Sequence, residues 1–74
     1  MKVLGVREKQ EFADVPEITQ VIRKVETELG EKGRVLVRYS GTEPLCRVMV
    51  EGEKQEAVED YARQIASVVK DRLG

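Results

Sequence analysis

Two short alternating runs, RVLVRY (34–39) and CRVMVE (46–51), flank the turn-forming stretch SGTEPL. Apolar and polar residues alternate with a period of two in both, and β-branched side chains dominate, so each run suits a strand with one buried face. Their proximity predicts an antiparallel hairpin. In that hairpin Val35 and Val37 share one face while Leu36 and Arg38 take the other, and Val48 and Val50 alternate with Arg47 and Met49 in the same way. Arg38 and Arg47 then lie at the loop-proximal strand ends, where they can converge on whatever the loop holds.

The flanking segments supply the layers that must cover this sheet. Ile18, Val21, Ile22, Val25 and Leu29 recur at three- and four-residue spacing and form the apolar stripe of a helix. Asp14 is the expected N-cap, Pro16 falls in the first turn, and Gly30 or Gly33 closes the helix. A second amphipathic helix runs from about Lys54 to Leu73, with Val58, Tyr61, Ala62, Ile65, Ala66, Val69 and Leu73 on one face. Its start is weakly signalled, because Gly52 and Glu53 are poorer caps than Ser, Thr, Asp or Asn. At the front of the chain, residues 2–8 read as a short edge strand weakened at Gly5. The order β-α-β-β-α predicts an α+β sandwich in a single domain spanning residues 1–74, with both helices on one face of a small antiparallel or mixed sheet. The chain opens almost directly in a strand, as expected of a piece taken from something longer.

Charge limits the partners. Thirteen Lys and Arg against fourteen Asp and Glu give a net charge of -1, so no broad basic surface exists to attract nucleic acid or an anionic membrane. With two Tyr, one Phe and no Trp, the chain also lacks the aromatic platforms of a single-strand binder. No apolar run is long enough to span a bilayer or to serve as a signal sequence. One cysteine and no histidine exclude a disulfide within the chain and a zinc site, and a reducing cytoplasm is the expected compartment. Cys46 reads as a small strand residue, Tyr39 and Tyr61 as packing residues. The acidic residues Glu51, Glu53, Glu56, Glu59 and Asp60 spread around a helix start and read as a solvated face.

Any anion site must therefore be local, and residues 38–47 supply one candidate, carrying two arginines against a single glutamate. A phosphate monoester needs several converging donors, some charged. Ser40 and Thr42 bring hydroxyls, and Arg38 and Arg47 bring planar forks that match phosphate oxygens two at a time. Gly41 is expected to adopt a positive φ that lets successive amides form a concave nest, and Pro44 stiffens the exit. Glu43 would repel a phosphate, so it is expected to turn away, orienting an arginine or meeting another part of a larger protein. The same composition also makes an ordinary hairpin turn, and residue chemistry alone leaves both readings open.

The stretch RYSGTEPLCRVMVEGE (38–53) resembles the phosphate-binding signature of the α-D-phosphohexomutases, R-x-S-G-T-E-P-x-x-R-V. Within that family it is most similar to the phosphoglucosamine mutases of bacteria. The likeness extends over essentially the whole chain, through ELGEKGRVLVRYSGTEP and the charged final helix. It implies the last of four domains, with a TATA-binding-protein-like α+β fold that closes over a sugar phosphate. It also implies that Arg38, Ser40, Gly41, Thr42 and Arg47 grip the substrate's non-reacting phosphate, while Glu43 and Pro44 match without an assigned role. The family's phosphoserine, magnesium and sugar-recognition loops belong to other domains, and nothing here resembles T-A-S-H-N-P or D-G-D-x-D-R. The implied partners are thus the sugar phosphate and the remaining domains of a parent isomerase. Magnesium is expected in that whole enzyme, no cofactor in this domain, and this chain alone should be inactive. Family members acting on mannose or glucose phosphates share much of the loop, and a separate module holding a phosphorylated ligand or RNA phosphate is the alternative from another class.

Overall fold

The computed structural model describes residues 2–74, in the order β1 (Lys2–Gly5), α1 (Pro16–Leu29), β2 (Arg34–Tyr39), β3 (Leu45–Glu51) and α2 (Gln55–Leu73). The three strands form one antiparallel sheet in the order β1-β3-β2. Both helices pack on one face of it, giving the expected α+β sandwich.

The alternation in the sequence becomes the two faces of this sheet. Cys46, Val48 and Val50 point into the core from β3, and Val35, Val37 and Tyr39 approach it from β2. Ile18 and Val25 of α1 meet Ile65, Val69 and Leu73 of α2 on the same side. Fully burying an aliphatic side chain of this size is worth roughly 1.5–3 kcal/mol, so these few positions hold the layers together. The other face carries no helix. There Val3 remains 50% exposed and Leu36 39%, beside Arg34, Arg38, Arg47 and Glu51.

Two helix boundaries follow distinct physics. Gly30, at φ 61°, takes a left-handed turn at the end of α1, and its N–H reaches the Glu26 carbonyl. At the other end Asp14 is not the N-cap. It is the last residue of a 3₁₀ turn, Phe12–Asp14, and Val15 occupies the cap position with no side-chain hydrogen bond. The Val15 carbonyl accepts the Ile18 N–H instead, and Pro16 at the first helical position removes a donor that would otherwise need a partner. The start of α2 likewise has no side-chain cap, with Lys54 at the cap position.

The first strand is shorter than expected. β1 ends at Gly5 because the pairing cannot be completed beyond it: Val6 N–H donates in register to the Pro44 carbonyl at 2.9 Å, but proline has no N–H to return, and Arg7 N–H turns to the Leu73 carbonyl at 2.6 Å. Residues 6–12 thereby become a strap across one end of the sandwich. No helix among the described residues is long and apolar enough to cross a membrane.

Candidate functional site

The hairpin register places Arg38 directly opposite Arg47, and directly opposite residues share a face, so both arginines stand on the helix-free side at the loop end of the ladder. At the far end of the same ladder Arg34 faces Glu51 and pairs with it, Nε to Oε2 at 3.5 Å. No such neutralisation occurs at the loop end: among the described residues neither Arg38 nor Arg47 forms an ion pair. Like charges directly opposite one another in a sheet destabilise it. This pair is a cost to the fold that no ion pair among the described residues offsets.

Between the arginines the chain passes through Ser40, Gly41, Thr42, Glu43 and Pro44. Ser40 is half-buried and the other four are exposed. Ser40 N–H donates to the Leu45 carbonyl at 2.8 Å, which continues the ladder by one bond. The returning bond is not made. Leu45 N–H turns to the Glu43 carbonyl at 2.8 Å, a tight turn centred on Pro44, whose ring holds φ near the value such a turn needs. The amides of Gly41, Thr42 and Glu43 are then left without a backbone acceptor, and the Ser40 and Thr42 hydroxyls without a partner, among the described residues. The loop thus offers three amides, two hydroxyls and two guanidiniums on an open edge.

Two expectations change at this point. Gly41 does not have a positive φ, since Gly30 is the only described residue that does, so the free amides arise from the Pro44 turn and not from a left-handed glycine. A Cβ at Gly41 would meet nothing within 4 Å; the glycine keeps open space above the loop. Glu43 orients neither arginine, as its carboxylate forms no ion pair among the described residues and its backbone oxygen accepts Leu45 N–H.

The loop is held from one side by the strap. Lys9 Nζ donates to the Ser40 carbonyl at 2.6 Å, Val6 N–H holds the Pro44 carbonyl, and the Tyr39 hydroxyl donates to the Gln10 carbonyl. Phe12 stacks on Tyr39, ring centroids 4.7 Å apart and planes 18° from parallel. Burial, then the neighbouring Cys46 and Glu11, push the Tyr39 phenol above its ordinary pKa. Lys9 carries no local signal in the sequence; it is one charge among several in VREKQEF, and only folding brings it to a residue 31 positions away.

Cys46 sits under the loop on the opposite face, fully buried, with burial pushing its thiol above the usual range. A thiol held neutral and shielded is a packing group. The larger surface grooves lie elsewhere; one of about 520 Å³ is lined by Glu17, Ser67, Val68, Lys70, Asp71 and Arg72 of the helical layer.

Residues 3–68 match the family model described as "Phosphoglucomutase/phosphomannomutase, C-terminal domain". Relatives named phosphoglucosamine mutase include those of Syntrophus aciditrophicus, 56% identical over 96% of this chain, and Syntrophobacter fumaroxidans, 49% identical over 96%. The protein of that name from Pelobacter propionicus is 51% identical over 93% of the chain. This chain spans about one sixth of the length of these relatives, 16% of the first two and 15% of the third. With the residues of the R-x-S-G-T-E-P-x-x-R signature gathered on one hairpin end, the chain belongs to the phosphohexomutases, as a C-terminal phosphoglucomutase/phosphomannomutase domain.

Proposed function

We propose that the chain is the substrate-phosphate domain of a phosphoglucosamine mutase, the isomerase that interconverts glucosamine 6-phosphate and glucosamine 1-phosphate. Arg38, Ser40, Gly41, Thr42 and Arg47 hold the phosphate that is not reacting. The observation that carries this reading is the Arg38–Arg47 pair, two like charges face to face in the ladder with no counter-ion among the described residues, beside three amides that have no backbone acceptor there. A dianionic phosphate supplies the missing charge and accepts from all of these donors.

The mechanism is one of placement. Binding energy gathered at the remote phosphate aligns the sugar oxygen at the other end of the substrate with the phosphoryl donor of the parent enzyme, and domain closure excludes water. The donor and the magnesium that assists it belong to the rest of that enzyme, so this chain by itself binds and does not transfer. In the cycle the same loop receives first one phosphate of the sugar and then the other.

Arg38→Ala in the parent enzyme tests this. A charged hydrogen bond is worth about 1.5–3 kcal/mol, so kcat/KM falls roughly tenfold or more, with KM raised. Unchanged kinetics overturn the assignment. The substrate preference of that parent, glucosamine phosphate against mannose or glucose phosphate, decides the sugar.

A further inference from the structure

The end of the hairpin is half-closed, and a side chain completes it. Ser40 N–H reaches the Leu45 carbonyl, yet Leu45 N–H turns away to Glu43, and the ammonium of Lys9 takes its place on the Ser40 carbonyl at 2.6 Å. A trans peptide is planar, with its C=O and N–H pointing in opposite directions, and no described peptide bond is cis. Whatever holds the Ser40 oxygen therefore also aims the Gly41 N–H, directing it away from Lys9. That amide has no acceptor among the described residues, and the space over Gly41 is open.

We infer that Lys9 is a positioning residue of the anion loop: it locks the Ser40–Gly41 peptide so that the Gly41 amide faces the bound phosphate. This rests on the phosphate-binding reading above and deepens it. The strap supports Lys9 from both sides, through Val6 N–H on the Pro44 carbonyl and the Tyr39 hydroxyl on the Gln10 carbonyl. Lys9 is exposed and its hydrogen bond is to the loop, so its replacement is expected to leave the fold intact.

The test compares the chain with its Lys9→Met and Lys9→Arg variants by ¹H–¹⁵N spectra, first without anion and then during titration with inorganic phosphate at about pH 7.5, where the dianion predominates. Lys9→Met removes donor and charge while keeping length. It is expected to move the Gly41 amide resonance before any phosphate is added and to weaken phosphate binding about fivefold, the scale of one amide hydrogen bond no longer aimed at the anion. Lys9→Arg restores both, and the thermal midpoint is the same in all three. If Lys9→Met leaves the Gly41 resonance in place and binds phosphate as tightly as the parent sequence, the role of Lys9 is overturned while the phosphate site stands. If phosphate shifts none of the Gly41, Thr42 and Glu43 amides in the unmodified chain, the phosphate reading falls, and this inference with it.

Discussion

Arg38 and Arg47 face one another across the β2–β3 ladder on the uncovered side of the sheet, while Arg34 and Glu51 close the opposite end of the same ladder as an ion pair. One hairpin thus holds a neutralised cross-strand pair and an unneutralised one. On the reading proposed above, the difference marks where the fold gives up stability for an anion.

That difference has a measurable consequence. Relieving the repulsion by Arg38→Thr leaves the thermal stability unchanged or raises it by about 0.2–1 kcal/mol at low salt, the scale of one cross-strand pair. Phosphate raises the melting temperature of the unmodified chain and leaves that of the variant where it was. A variant that is clearly less stable, by calorimetry, would show that the two arginines support the sheet and not a ligand.

Two glycines separate binding from folding. A Cβ at Gly41 meets nothing within 4 Å, whereas one at Gly33 overlaps the Glu51 backbone oxygen and crowds Leu29. Gly41→Ala therefore folds with normal stability and binds phosphate more weakly, because the methyl occupies the space the anion needs. Gly33→Ala destabilises by roughly 1–3 kcal/mol, as overpacking against backbone does. Urea titrations of both variants alongside a phosphate titration of Gly41→Ala read these outcomes.

Alkaline pH weakens the fold through two groups. The folded-state pKa values of Cys46 and Tyr39 are raised above their ordinary values of 9.0 and 10.0, burial being the first cause in each. Both groups hold their protons more tightly folded than unfolded, so their contribution is complete below the unfolded pKa and is lost as pH rises through the folded one. Unfolding free energy declines from about pH 9 upward, and Tyr39→Phe removes the later part of that decline. A flat profile by circular dichroism between about pH 8 and pH 11 would contradict it.

The same burial protects the thiol. Cys46 reacts with iodoacetamide only after denaturation, at neutral pH, as mass spectrometry of the intact protein before and after urea treatment will show. Rapid labelling of the folded chain would mean that β3 opens readily.

Much of this protein is written in local patterns. The period-two alternation at 34–39 and 46–51 settled the hairpin and which side Arg38 and Arg47 occupy, because a strand has only two faces. The three- and four-residue spacing of Ile18 to Leu29 and of Val58 to Leu73 settled the helices for the analogous reason. What the pattern could not contain is the destination of individual backbone groups. Asp14 lost the cap position to Val15 because a local 3₁₀ turn took up both amides, through the Glu11 and Phe12 carbonyls; β1 gave out because Pro44 has no N–H to return and Arg7 turns to the distant Leu73 carbonyl; and Gly41 took an ordinary φ beside the Pro44 turn. Lys9 belongs with them. Its place beside Ser40 depends on the strap crossing the end of the sandwich, a contact between segments 31 residues apart that exists only once the core has closed.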